Sequence, residues 1–165
     1  MNPEDELVSH LMSTPIVAVD PMTDVGELLR LSESLGIHHF PLIDAAGLFG
    51  IVCTCDVEGA RPEQAVSQFA RRLPVTIRPE ASAREAATCM KLRCVGSVLV
   101  ADDEGVWGIL TRDDLAETVP ELMRDVHCIH CSSRQHLRPG PGHTLICPSC
   151  AARRADESAQ CTPLG

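Results

Sequence analysis

The sequence predicts an α+β protein, α/β-like in its alternation: two β-α-β-β-α repeats packed about a pseudo-twofold axis, followed by a small domain ordered by a metal. Three observations predict it. Sliding the chain against itself by 58 residues, without gaps, superimposes Val17 on Val75, Pro21 on Pro79, Glu27 on Glu85, Asp44 on Asp102, Gly47 on Gly105, Gly50 on Gly108, Ile51 on Ile109 and Asp56 on Asp114. One offset that holds from the first strand to the last helix marks a tandem repeat. Charge is also spread unevenly. Residues 1–60 carry one basic side chain, Arg30, against ten acidic ones, whereas from Val126 onward four arginines face two carboxylates, and that segment holds five of the nine cysteines. Finally, Cys128-Ile-His-Cys131 and Cys147-Pro-Ser-Cys150 form two C-x2-C pairs. The domains are therefore placed at 1–60, 61–123 and 124–155, with 156–165 as an aperiodic tail.

Each repeat is expected to open with a helix, Asp5 to Met12 in the first copy and Pro62 to Arg72 in the second, where Pro62 suits a helix start. A short β-branched run follows, Ile16 to Val19 and Val75 to Ile77, closed by a proline that cannot continue a ladder. Thr23 or Asp24, and Ser82, stand where a helix cap belongs. The apolar stripe at Val25, Leu28 and Leu29, and the clearer one at Ala83, Ala86, Ala87 and Met90, predict helices burying one face; Gly36 ends the first. Then two apolar runs flank a turn, Asp44-Ala-Ala-Gly47 or Asp102-Asp-Glu-Gly105, which predicts a β-hairpin. A last helix begins near Asp56 and near Asp113. Such a unit cannot bury both faces of its sheet alone, so two copies should pack sheet against sheet, with ligand clefts between them.

At the second hairpin's end the chain reads Gly108-Ile-Leu-Thr111-Arg-Asp-Asp114. A hydroxyl and a carboxylate three residues apart at a strand-to-helix junction form a capping box. The same pair could also grip a sugar: a carboxylate accepts from vicinal hydroxyls, and a helix start tolerates phosphate. With the repeat length, this segment and Ile37-His-His-Phe-Pro-Leu-Ile-Asp44 resemble a pair of cystathionine-β-synthase-type (CBS) domains, the Bateman module, over residues 4–120. The resemblance implies that Thr111 and Asp114 hold the ribose of an adenosine-type ligand such as AMP, ADP, ATP or S-adenosylmethionine. It further implies that the backbone of Leu73, Pro74, Val75 and Thr76 borders the base and that Arg112, His38 and His39 meet phosphate; without it, one histidine packs on the sheet and the other is solvated. A homodimer is implied as well. The first copy departs from the pattern, since Gly50-Ile-Val-Cys53-Thr-Cys-Asp56 keeps Asp56 but puts a weakly hydrogen-bonding thiol where the family has a hydroxyl, so that site should be weaker or empty. Cys53 and Cys55, two apart on a strand, would be strained as a disulfide; they are expected, like Cys89 and Cys94, to act as small buried hydrophobes.

The paired knuckles Cys128, Cys131, Cys147 and Cys150 can surround one cation tetrahedrally, and the interval between them suffices for a hairpin turning at Arg138-Pro-Gly-Pro-Gly142. This segment resembles a zinc ribbon. It has too few apolar residues to fold on burial alone, so metal should supply most of its stability. Iron is the alternative, because Cys-Pro-x-Cys resembles a rubredoxin knuckle, although Ala151 stands where rubredoxins have Gly. A closed four-thiolate shell leaves no position for substrate, which excludes zinc hydrolysis. Cys161 is expected as a free thiol in the tail.

Together these features predict a non-catalytic regulatory sensor for an adenosine-type ligand, with the ribbon contacting a protein partner. No nucleophile-base pair or Gly-rich phosphate loop is present to suggest an enzyme. The alternatives are a nucleic-acid-binding regulator using the ribbon and a thiolate-iron redox protein. A net charge of −9, and no aromatic residue in the ribbon segment for stacking, weigh against nucleic acid. No apolar stretch approaches a membrane span, and the acidic opening Met1-Asn-Pro-Glu-Asp-Glu is unlike a secretory signal, so a cytoplasmic location is expected.

Overall fold

The computed structural model describes residues 2–93, 95–123, 138–139, 145–147 and 150–152. Its order is α1 (Val8–Leu11), α2 (Val25–Leu35), β1 (His39–Asp44), β2 (Gly47–Cys53), β3 (Thr76–Ile77), α3 (Ala83–Arg93), β4 (Ser97–Asp102), β5 (Gly105–Thr111), α4 (Arg112–Thr118), α5 (Pro120–Met123), β6 (Arg138–Pro139) and β7 (Leu145–Ile146). The mixed α+β class and the two hairpins are as expected. β1 pairs antiparallel with β2, and β4 with β5, in equivalent registers: His39 faces Cys53 as Ser97 faces Thr111. Both hairpin turns are fixed by an aspartate accepting from a backbone N–H two residues on, Ala46 to Asp44 Oδ1 at 2.7 Å and Glu104 to Asp102 Oδ1 at 2.8 Å. That contact explains why the repeat preserves Asp44 and Asp102.

Each copy has its own core. Val25, Leu28, Phe40, Leu42, Val52, Val57 and Val66 form one buried cluster; Val8, Ala83, Ala86, Ala87, Met90, Val98, Val100, Leu110, Leu115, Val119 and Met123 belong to the other, joined by Ile146, Cys147 and Cys150. α2 ends on Gly36 at φ 67°, a left-handed cap that glycine adopts without a Cβ penalty. α3 starts with the Ser82 hydroxyl accepting from the Glu85 N–H at 3.2 Å, while Glu85 accepts from both the N–H and the hydroxyl of Ser82. That is the expected cap. At α2 the cap position is Asp24, without a side-chain hydrogen bond.

The leading segments depart from the expectation that each completes its own copy. They are exchanged. Val8 N–H donates to Ala81 O, Ser9 N–H to Pro79 O, and Ala83 N–H to Glu6 O, so the start of the chain is strapped onto the second repeat. Reciprocally, Val25 N–H donates to Gln64 O, Gly26 N–H to Pro62 O and Val66 N–H to Thr23 O, strapping the inter-repeat segment onto the first. The bridges obey the 58-residue offset: Leu7 with Ser82 matches Ala65 with Asp24, and Ser13 with Ile109 matches Arg71 with Ile51. This pairing also explains why long helices do not form. Backbone groups that a helix would bond internally are bonded across to the other copy, leaving single turns at Pro3–Asp5, Val8–Leu11 and Val66–Gln68.

The straps account for two repeated glycines. A Cβ at Gly50 would stand 2.5 Å from Arg71 O, and one at Gly108 would stand 2.6 Å from Met12 Sδ and 2.9 Å from Ser13 O. The expected first strands are shorter than predicted. Only Val19 of the first joins Leu42 in a parallel bridge, and the second is β3, parallel to β4. Near Asp56 there is a 3-10 turn, Thr54–Val57, rather than a longer helix, because Gly59 at φ 79° and then Pro62 interrupt the chain.

Candidate ligand site at the hairpin-to-helix junctions

Thr111 ends β5 and Arg112 begins α4, so the junction is held by a strand on one side and a helical turn on the other. The Thr111 N–H and its hydroxyl both donate to Asp114 Oδ2, each at 2.7 Å, and the pair is half-buried. The expected capping box is therefore formed. Neither bond uses Asp114 Oδ1. The first copy repeats the geometry with one bond fewer: the Cys53 N–H donates to Asp56 Oδ2 at 2.9 Å. The Cys53 sulfur accepts from the Asp56 backbone N–H but donates nothing to the Asp56 carboxylate. Hydrogen bonding with Cys55, followed by burial, pushes the Cys53 thiol far above its ordinary range.

Arg112 points across the seam between the copies. Its N–H donates to Gly96 O at 3.2 Å, the counterpart of Thr54 N–H to His38 O at 2.9 Å. A Cβ placed on Gly96 would lie 2.9 Å from Arg112 Nη2 and 3.3 Å from His39 Nε2, so an arginine of the second repeat and a histidine of the first converge over that glycine. Burial lowers the Arg112 pKa; Asp113, Cys53 and Cys55 oppose the shift. His38 is exposed, with Nδ1 3.4 Å from Thr54 Oγ1, and His39 is half-buried. The expected base-bordering stretch enters the three-stranded sheet at β3, one strand away from β5. Val75 O accepts from Leu99 N–H there, Pro74 is half-buried and Thr76 is exposed. Leu73, 86% exposed, instead shares an open hollow of about 380 Å³ with Arg72 and the first hairpin turn. The Arg72 guanidinium lies 4.1 Å over the Phe49 ring beside it.

Two features of this site were not anticipated from the sequence. The convergence of Arg112 with the first repeat needs the relative placement of two copies, which no spacing encodes. The Cys53 and Cys55 contact was obscured by treating both as strand residues; Cys53 ends β2, but Cys55 lies in the 3-10 turn. Burial also corrects part of the thiol expectation: Cys53 is buried, whereas Cys55 and Cys89 are half-exposed. Cys94 lies outside the described residues.

The duplicated fold matches known proteins. The family model described as "CBS domain" matches twice, over residues 8–62 and 66–121. The chain belongs to the CBS-domain family. It is 29% identical over 138 residues to a CBS domain-containing protein of Dictyostelium discoideum, covering 73% of this chain and 95% of that one. Among solved structures it resembles a conserved CBS domain protein of unknown function from Thermoplasma acidophilum, at TM-score 0.68 and 17% identity over 78% of this chain and 84% of that one. It also resembles the CBS domain pair of protein MJ0100 in complex with 5′-methylthioadenosine and S-adenosyl-L-methionine, at TM-score 0.64 and 23% identity over 70% and 97% of the two chains.

Beyond the CBS pair, β6 and β7 pair antiparallel, Arg138 opposite Ile146; the rest of the predicted turn lies outside the described residues. Cys147 and Cys150 are buried, and the Cys150 and Ala151 N–H groups donate to Cys147 O at 3.1 and 2.9 Å. Cys128, Cys131 and Cys161 lie outside the described residues. Among the described residues no cluster of three or more histidines, cysteines or carboxylates could hold a metal. No described helix is long and apolar enough to cross a membrane.

Proposed function

We propose that this CBS pair is a non-catalytic sensor that binds an adenosine-type ligand at the Thr111–Asp114 junction. One observation carries it: Asp114 is oriented by two bonds to a single oxygen, Oδ2, so Oδ1 can accept from a ribose diol without dismantling the cap. The adenosyl ligands named with the MJ0100 CBS pair support the ligand class. Arg112, with His39 and His38 beside the seam, supplies donors for a phosphate or another anionic group, and the Pro74 to Thr76 backbone borders the base. Asp56 offers the same acceptor in the first repeat. There Cys53 gives Asp56 only a backbone N–H, so that site is the weaker of the two.

The four thiolates of Cys128, Cys131, Cys147 and Cys150 complete this proposal as a structural zinc site whose surface meets a protein partner. The Cys150 N–H bond to Cys147 O keeps these two cysteines close, which suits one such knuckle. Zinc bound there would supply folding free energy and no catalytic water.

Calorimetric titration of AMP, ATP and S-adenosylmethionine tests the ligand site. At least one should bind the native chain, and Asp114→Ala should weaken it about 10- to 100-fold, the effect of losing a charge-assisted hydrogen bond of about 1.5–3 kcal/mol. Equal heats from native chain and variant, both folded by circular dichroism, would refute the site. Metal analysis of the purified chain should find one zinc per chain, and a value near zero would remove the ribbon.

A further inference from the structure

The first junction carries a chemistry that the second lacks. Where Thr111 and Asp113 stand in one repeat, Cys53 and Cys55 stand in the other, and their side chains are hydrogen-bonded to each other. Cys53 is 9% exposed and fixed twice, by its position opposite His39 in the hairpin and by its N–H on Asp56 Oδ2. Cys55 is half-exposed. Thr54, between them, begins a 3-10 turn, so the pair does not lie along one extended strand. Arg112 crosses the seam to lie within electrostatic reach of both sulfurs, while hydrogen bonding with Cys55 and burial hold the Cys53 thiol protonated, which suits a resolving rather than an attacking sulfur.

We infer that Cys53 and Cys55 form a reactive dithiol site that takes a small-molecule disulfide, with the accessible Cys55 as attacking sulfur and the buried Cys53 as resolving sulfur. Cys55, its proton released to solvent, attacks one sulfur of R–S–S–R; a Cys55–S–S–R bond forms, the original S–S bond breaks, and RS⁻ leaves to be protonated as RSH. Cys53, losing its proton to solvent, then attacks Cys55 Sγ and expels the second RS⁻, which is also protonated. The protein loses two electrons and two protons to form the internal disulfide, and R–S–S–R is reduced to two RSH. The site is independent of the adenosyl proposal and of any metal, since neither step uses them.

Digestion isolates the pair. Trypsin spares the Arg61–Pro62 bond, and the peptide from Leu31 to Arg71 contains Cys53 and Cys55 and no other cysteine. The full chain, reduced and freed of reductant, is treated with oxidised glutathione, alkylated, digested and weighed by mass spectrometry. The native peptide should lack two hydrogens and carry neither alkyl group nor glutathione. In Cys53→Ser a glutathione adduct should persist on Cys55, whereas Cys55→Ser should gain little adduct, with both variants checked for folding by circular dichroism. A native peptide alkylated at both cysteines, or one retaining the same adduct as Cys53→Ser, would overturn the assignment. That outcome needs no variant to fold.

Discussion

At Cys53 the chain places sulfur where Thr111 places oxygen, and the neighbouring bonds show what the exchange costs. The Thr111 hydroxyl reaches Asp114, whereas Asp56 accepts from the Cys53 backbone N–H alone. Cys53→Thr should therefore add one partly buried hydrogen bond and stabilise the first repeat by about 0.5–1.5 kcal/mol, read as a raised denaturation midpoint. It should also strengthen nucleotide binding at that junction, with calorimetric stoichiometry moving toward two ligands per chain. Sequence inspection located Asp114, Thr111 and the Cys53 departure because the repeat offset aligns them. It could not show that both Thr111 bonds converge on one carboxylate oxygen, which depends on the turn at the start of α4.

Among the elements, α3 shows how strongly a local signal can be trusted. Ser82 and Glu85 stand three apart before an apolar stripe, and they form the reciprocal cap that such spacing encodes. Ser82→Ala should cost about 1 kcal/mol of stability. The Ser82 N–H and hydroxyl hold the Glu85 carboxyl below its usual range. A lowered folded pKa means that this contribution is present above the unfolded carboxylate value and is lost as pH falls through the folded one. Thermal melts of Glu85→Gln should accordingly differ from the native chain at neutral pH and converge with it in acid. The strap segments teach the opposite lesson: Pro62 to Arg72 has a helix-compatible start, but its backbone groups find partners at Pro21, Thr23, Val25, Gly26 and Ile51. Long-range pairing overrides propensity there. Gly50→Ala should consequently destabilise the first repeat by about 1–3 kcal/mol, since the added methyl meets the Arg71 carbonyl. Gly108→Ala should cost less, because a flexible Met12 side chain makes the closest contact. Urea midpoints of the two variants, compared side by side, check the order.

The whole molecule is organised by reciprocity. Removing residues 1–13 would strip Val8, Leu11 and Met12 from the second repeat's core and leave the first repeat's cluster intact. Hydrogen exchange in that truncation should rise across α3 and β5, with β1 and β2 remaining protected; uniform loss of protection would contradict the assignment of straps to cores. The 58-residue offset made the duplication legible and hence most of the fold. Which leading segment serves which copy was hidden, since a translational repeat in sequence looks the same whether its straps are kept or traded.

The traded straps also constrain how such a chain could have begun. A lone ancestral unit would carry a strap shaped for another molecule and an empty dock on its own flank, and could satisfy both only by embracing an identical copy. Fusing two such partners head to tail makes a mutual clasp between strangers into an internal bond that dilution cannot undo.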